Sequence, residues 1–355
     1  MRLSSLCIHA TVVLAMTQVS YADGGANHQV TQAPPVKMGT SGGSVADHSN
    51  LFCCSGTLGA LVLRDGVLCI LSNNHILARS GVAAAGEDTL QPGLVDTNCS
   101  GTGSNIVGDF IGNLVPLGNN VDAALSIARS NVDASGAIID IGVPCSNPQT
   151  ATVGMPVRKS GRTTGFTTGT VTSVNTSVQI QYQKGCGKGK KFVVTYTNQI
   201  VTGAMSAGGD SGSVLYSNND STPNPVGLLY AGSSSTTIYN PIQHVINAFT
   251  AGGHTFTFVG SSCSSLVPEG PAGLAPTPEE MADALQVKVE NETELFQHAG
   301  VVGVGVGPAE DNPLQAVIVV YVESPNGNVP PNAHIPDSIG NLPVRTIVTD
   351  KIVAQ

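Results

Sequence analysis

Between residues 56 and 260 the chain alternates short apolar runs with breaks rich in Gly, Asn and Asp. Runs of about four to eight residues, enriched in Val, Ile, Thr and Tyr and bounded by turn formers, are strands rather than helices. The pattern predicts strands at Thr57–Leu63, Val67–Leu71, Ala123–Ala128, Ala137–Ile141, Thr170–Val174, Ser177–Tyr182, Phe192–Thr197, Val214–Tyr216, Val226–Tyr230 and Thr255–Val259. Arg64-Asp65-Gly66 separates the first two and is a hairpin signal. A single helix is expected at Pro241–Thr250, with proline in its first turn. So many short strands predict a β-sandwich or a pair of β-barrels over residues 51–262.

The pattern changes afterwards. Residues 263–276, with prolines, glycines and serines, are a linker by composition. Thr277-Pro278-Glu279-Glu280 is a capping box with proline at the first helical position, so a helix should follow. Met281, Leu285, Val289 and Phe296 fall on one face, and Gly300 closes the element. Strands are expected at Val301–Val306, Ala316–Val322 and Val344–Val348, making residues 277–355 a small α+β module. At the other end, residues 23–50 are polar and read as an N-terminal tail. Residues 1–22 read as a signal peptide: Arg2, an apolar stretch from Leu6 to Met16, then Ser20-Tyr21-Ala22. No apolar run is long enough to span a bilayer, so the expectation is a secreted or periplasmic protein without membrane insertion.

Composition sharpens this. Charged residues are 11%, aromatics 4% and Trp is absent, which excludes coiled-coil architectures. The 41% of hydrophobic residues can build a core. The net charge of -9 argues against a nucleic-acid partner, and -8 of it lies in residues 271–355. Beyond Cys7, seven cysteines remain: Cys53, Cys54, Cys69, Cys99, Cys145, Cys186 and Cys263. Their odd number leaves at least one outside intrachain disulfides, with the connectivity open. No Cys-x-x-Cys pair exists, and His28, His48, His244, His254, His298 and His334 show no metal-ligand spacing, so neither a metal site nor a cofactor is expected. The Lys184–Lys191 stretch lacks the spacing of a phosphate loop and reads as a basic hairpin tip. Gly303–Gly307 follows a helix rather than opening one, so it reads as a Gly-rich strand.

Three short segments carry candidate chemistry. In Gly208-Gly209-Asp210-Ser211-Gly212-Ser213, glycines let the backbone turn sharply around Ser211. The amides of Gly209 and Ser211 can then point into one anion-stabilising hole. A serine hydroxyl needs a base to become a nucleophile. His75, at the polar break in Leu71-Ser72-Asn73-Asn74-His75, is placed to be that base. Asp122 opens an apolar strand, and a buried carboxylate needs a partner such as an imidazole N–H. Asp109 and Asp140 are rivals that lead into less clear strands.

The chain order His, Asp, Ser is that of chymotrypsin. Here the sequence resembles the trypsin-like serine proteases, and more closely the bacterial secreted relatives of the plant narrow-leaf proteins. The resemblance rests on the Leu-Ser-Asn-Asn-His element, Gln91–Asp96, Lys159–Gly165 and Ser206–Gly212, and covers about residues 50–250. It implies a chymotrypsin-like double six-stranded β-barrel and a serine endopeptidase acting on protein or peptide substrates. Ser211 would be the nucleophile, His75 the base and Asp122 its orienting partner, with Gly209 and Ser211 as the oxyanion hole. Tyr230, Ala231 and Gly232 would hold the substrate backbone, and Met205 would lie at the floor of the specificity pocket, which leaves Arg or Lys selectivity unsupported. Asn73 and Asn74 stand where the family usually has two alanines, Ile76 where it has a cysteine, and no Ile-Val-Gly-Gly terminus exists to pair with Asp210. A catalytically weak or inactive trypsin-fold binding protein and a serine esterase are the alternatives.

Overall fold

The computed structural model describes residues 26–187, 189–218, 222–263 and 275–355. The signal-peptide reading and nearly all of the linker therefore lie outside the described residues. A short helix α1 (Ala26–Gln29) leads into β1 (Thr40–Ser44), β2 (Gly56–Leu58), β3 (Ala60–Arg64) and β4 (Val67–Ser72). After α2 (Asn74–Leu77) come β5 (Asp88–Gln91), β6 (Asn105–Leu114) and β7 (Ala124–Ala128). These strands pair in the order β3-β4-β7-β6-β5-β1-β2. Because β2 and β3 are one bent strand interrupted at Gly59, the sheet closes on itself as a barrel. Its interior holds Leu58, Val62, Ile70, Val107, Phe110 and Leu125, all buried. Each such side chain contributes about 1.5–3 kcal/mol by leaving water.

The second barrel comprises β8 (Pro156–Gly161), β9 (Gly165–Gln183), β10 (Lys191–Gly203), β11 (Val214–Ser217), β12 (Pro225–Gly232) and β13 (Thr236–Pro241). Its order is β10-β13-β12-β11-β8-β9, and pairing of β9 with β10 closes the ring. Val157, Val171, Ile200, Leu215, Leu229 and Tyr239 fill it. Helix α3 (Ile242–Thr250) follows, and β14 (Phe256–Phe258) returns to pair with β3 of the first barrel. The protein is thus mostly β, with two closed sheets of the chymotrypsin-like kind. Disulfides join Cys53 to Cys99, Cys54 to Cys186 and Cys145 to Cys263, leaving Cys69 free and buried. The Cys54–Cys186 bond ties the first barrel to the β9–β10 hairpin of the second.

Helix α4 (Pro278–Leu295) begins with the expected reciprocal cap between Thr277 and Glu280. It is followed by β15 (Val301–Pro308), β16 (Ala316–Glu323), β17 (Ser338–Ile339), β18 (Leu342–Thr349) and β19 (Val353–Ala354). These strands do not form a sheet of their own: β15 pairs with β9, which carries the second sheet onward through β16 and β18.

Several local expectations differ from what is observed. Residues 36–44, expected in a tail, are built into the first barrel: Val36 and Met38 are buried and β1 pairs with β2 and β5. The Thr-Ser-Gly-Gly-Ser sequence of β1 has no apolar alternation to announce it. Ala137–Ile141 is a turn, with Asp140 (φ 61°) and Gly142 (φ 88°) reversing the chain. Thr170–Val174 and Ser177–Tyr182 belong to the one strand β9, which bends at Asn175 (φ 51°). In α4, Val289 is 59% exposed, while Ala284, Lys288 and Leu295 are buried. The helix is rotated because Lys288 donates to Ser177 Oγ of β9 (2.8 Å) and pairs with Glu292.

Candidate active site

His75 sits in α2, where β4 leaves the first barrel. Its Nδ1 donates to Asp122 Oδ2 at 2.6 Å, and its backbone N–H donates to Asp122 Oδ1 at 3.2 Å. Asp122 is fully buried. Tyr182 of β9 donates its hydroxyl to Asp122 Oδ2 at 2.8 Å and meets the Tyr196 hydroxyl at 2.8 Å. The Asp122 backbone is clamped on both sides: its N–H donates to Asn240 Oδ1 (2.9 Å) and its carbonyl accepts from Asn73 Nδ2 (2.7 Å). Asn74 Nδ2 donates to the Val115 carbonyl (2.7 Å). The two asparagines that depart from the family pattern are therefore the side chains that fix the Asp122 loop beside His75.

Burial alone would lower the His75 pKa. The charge and hydrogen bond of Asp122, with the backbone oxygen of Gln355 and Asp47, outweigh that and hold it above the ordinary 6.5. His75 Nε2 lies 3.2 Å from the backbone oxygen of Gln355. With an acceptor at each nitrogen, the ring bonds both only as the imidazolium. Asp47 lines the same cleft, and burial pushes its pKa up to about 6 against the pull of Arg79 and His75. Asp47 also lies with the sulfurs of Cys54 and Cys186, but those are joined as a disulfide and offer no thiolate to a metal.

Ser211 is on the loop entering β11 of the second barrel, and is fully buried. Its Oγ donates to the Tyr230 carbonyl at 3.0 Å rather than to His75. The loop around it is tightly specified. Gly208 O accepts from Thr163 Oγ1 (2.7 Å), and Asp210 O accepts from Ser213 Oγ (2.6 Å) and Ser213 N (3.0 Å). In a trans peptide the N–H points opposite the carbonyl, so these bonds aim the Gly209 and Ser211 amides the other way. Among the described residues neither amide has a protein acceptor. Gly209 takes φ +101°, and a Cβ there would crowd Arg162 and Thr163. Thr57 of the first barrel holds the loop from the far side: its N–H donates to Ser211 O (2.8 Å) and its hydroxyl to Gly209 O (3.0 Å).

Asp210 has the partner that the missing terminus left open. Its Oδ2 lies 3.4 Å from Lys159 Nζ, and both side chains are fully buried. Thr163 N–H and Thr164 N–H donate to Oδ1 (2.8 and 3.2 Å), and Thr164 Oγ1 and Ala207 N–H to Oδ2 (2.7 and 3.0 Å). Burial lowers the Lys159 pKa and Asp210 only partly restores it. A buried pair of this kind is tolerable because its remaining valences are filled.

Of the residues expected around the substrate, Ala231 and Gly232 lie on β12 beside the cleft and pair with Ala354 and Val353. Tyr230 contributes its carbonyl, while its ring packs 4.9 Å from Tyr196. Met205 turns into the second core, where Tyr239 OH reaches its sulfur at 3.8 Å. The cleft itself, of about 390 Å³, is lined by His75, Arg162, Tyr182, Gly208, Gly209 and Gln355 among others. Asp109 pairs with Arg129 and Asp140 with His28, so neither rival carboxylate meets His75. Lys159, Tyr182, Asn240 and Thr57 carry no marker of role in the sequence. Of these four only Lys159 falls in a segment, Lys159–Gly165, that the resemblance singled out.

A family model, the Nal1 C-terminal domain, matches residues 104–246. No curated protein matches the chain. Among solved structures, a glutamic-acid-specific serine protease that uses a histidine triad in substrate binding is 22% identical. The alignment covers 63% of this chain and 100% of that one, with a TM-score of 0.44. Thermobifida fusca protease A is 19% identical, covering 64% and 99% with a TM-score of 0.41. An alpha-lytic protease homologue, N4, is 20% identical, covering 62% and 98% with a TM-score of 0.42. Among the described residues, no helix is long and apolar enough to cross a membrane.

Proposed function

We propose that the protein is an exported serine endopeptidase. The observation that carries the reading is the His75–Asp122 pair, 2.6 Å apart, sharing a cleft with the Ser211 loop, whose Gly209 and Ser211 amides have no protein acceptor among the described residues. Rotation of the Ser211 hydroxyl from Tyr230 O toward a neutral His75 Nε2 would complete the nucleophile. Ser211 Oγ then attacks a peptide carbonyl carbon while its proton passes to His75. The Gly209 and Ser211 amides hold the oxyanion. As the C–N bond breaks, His75 returns the proton to the departing amine. A water attacks the resulting ester, gives a proton to His75, and the acid leaves as Ser211 recovers that proton. Asp122 keeps the imidazole in the required tautomer and stabilises its charged form. Disulfides at three places support an oxidising compartment, and no cofactor has a role in this chemistry.

One observation favours the competing reading of a non-catalytic binding protein: Ser211 bonds Tyr230 O and not His75. Exposing the protein to a fluorophosphonate and then offering peptide and ester substrates separates the readings. Labelling with peptide turnover is expected. Labelling with ester turnover alone would make the protein an esterase, and no labelling would leave a binding protein.

A further inference from the structure

The cleft is already occupied by the chain itself. Val353 and Ala354 pair antiparallel with Gly232 and Ala231, and Val353 also aligns with Gln181 of β9. Gln181 N–H donates to Ile352 O (3.1 Å), and Gln355 N–H donates to Tyr230 O (3.3 Å). The segment is thus an added strand, the form in which an extended peptide binds a sheet edge. It runs toward His75 and brings a backbone oxygen of Gln355 to 3.2 Å from His75 Nε2. Tyr230 O, which receives Gln355 N–H, also receives the Ser211 hydroxyl. The Gln355 side chain lies against Gly232, where a Cβ would collide with its Nε2. Gly232 is therefore what makes room for the carboxamide.

Upstream, the segment is fastened outside the cleft. Thr349 Oγ1 donates to Ser233 Oγ (2.7 Å), and Ser234 donates to Asp350 Oδ1 through both N–H and hydroxyl (2.8 Å each). Ile352 is buried with Tyr182, Tyr196 and Tyr230.

We infer that residues 352–355 stand where the acyl side of a peptide substrate binds, so that the segment competes with substrate and the preferred substrate carries glutamine, preceded by a small residue, at the bond that is cut. The inference rests on the peptidase reading. The reaction is hydrolysis of the peptide bond after that glutamine, consuming one water and releasing a carboxylic acid and an amine. Neutral glutamine, rather than lysine or arginine, fits the surroundings. The two arginines that line the cleft are already paired, Arg162 with Asp96 (2.8 Å from Nε) and Arg79 with Glu87 (3.0 Å from Nε), and the one acid among the described lining residues, Asp47, stands by the Cys54–Cys186 disulfide.

The test uses three proteins: the intact chain, a variant lacking residues 353–355 that keeps Ile352 in its core, and Gln355→Ala, which keeps every core contact. Each is given N-acetyl-Ile-Val-Ala-Xaa aminocoumarin amides with Xaa as Gln, Glu, Lys or Phe. The glutamine substrate is expected to be cleaved at least about tenfold faster than the others by all active forms. Removing the segment should lower KM at least about tenfold with kcat little changed, and Gln355→Ala should lower KM less. Fluorophosphonate labelling is measured alongside. Labelling with equal turnover of the Lys or Phe substrate, or with an unchanged KM in both variants, overturns the inference and leaves the peptidase standing. No labelling of any form removes the peptidase reading and this inference with it.

Discussion

The two barrels hold their shares of the site by different physics. The first presents His75 and Asp122 through side chains that grip backbone: Asn73 from the same barrel and Asn240 reaching across from β13 fix Asp122 at 2.7 and 2.9 Å, and the carboxylate grips His75 at 2.6 Å. The second presents Ser211 on a glycine loop that would have many conformations were it not anchored from beneath by the buried Lys159–Asp210 pair. Short polar clamps are local and fail one bond at a time. A buried ion pair fails as a unit, because removing one partner strands the other charge away from water. The proposed base should therefore be sensitive to the identity of its carboxylate, and the loop of the proposed nucleophile to a residue remote from the chemistry.

The largest effect separating the halves is expected at Asp122. Asp122→Asn leaves the shape of the first barrel intact but favours the wrong tautomer of His75, and peptide turnover should fall by about 10⁴ with an unchanged circular dichroism spectrum. A loss below tenfold would take Asp122 out of the pair. Lys159→Met should act on the other half. It leaves Asp210 buried and unpaired at a cost of about 3–5 kcal/mol, so the melting temperature should drop together with fluorophosphonate labelling. Adding Asp210→Asn should recover stability without restoring labelling. A Lys159→Met variant that melts like the parent would show that the hydrogen bonds from Thr163, Thr164 and Ala207 suffice.

The pH dependence comes next in size. In the proposed mechanism His75 must be neutral to accept the Ser211 proton, and its pKa is held above 6.5 despite burial, chiefly by Asp122. Turnover should therefore fall as pH drops through that raised value, with half-activity above 6.5. The sign for stability is opposite: the contribution of charged His75 is full below about 6.5 and is lost as pH rises through the folded value. An acid limb centred well below 6.5 would remove His75 as the base. The smallest effect belongs to Ser213→Ala. Its hydroxyl holds Asp210 O at 2.6 Å, but its own N–H holds the same oxygen at 3.0 Å. Turnover should fall by less than about tenfold, and a larger loss would mean that the hydroxyl alone aims the Ser211 amide.

What the sequence disclosed follows the same division. His75, Asp122 and the Gly208–Ser213 loop stood out because an apolar strand ending in a polar break, or a serine among glycines, is a local signal. The Arg64-Asp65-Gly66 hairpin and the Thr277 cap were legible for the same reason, and both are present. Strands β1 and β6 were not, because Thr-Ser-Gly-Gly-Ser and a stretch holding Asp109, Gly108, Gly112 and Asn113 gain strand form from their neighbours rather than from their own pattern. Lys159 was illegible as an anchor: a lysine in sequence is a surface residue until the fold places it 3.4 Å from a buried carboxylate. The extension of the second sheet by β15 was hidden too, since pairing with β9 joins segments far apart in the chain.

The central claim is that Ser211 is the nucleophile of a His75–Asp122 pair, and locating a covalent adduct tests it most directly. The protein lacking residues 353–355 is reacted with a fluorophosphonate at pH 8, digested, and the modified peptide sequenced by mass spectrometry, with Ser211→Ala and His75→Ala treated in parallel. The account predicts one phosphonyl group, on Ser211, absent from Ser211→Ala and formed orders of magnitude more slowly in His75→Ala. An adduct on Ser213 or any other serine, or undiminished labelling of His75→Ala, would contradict it.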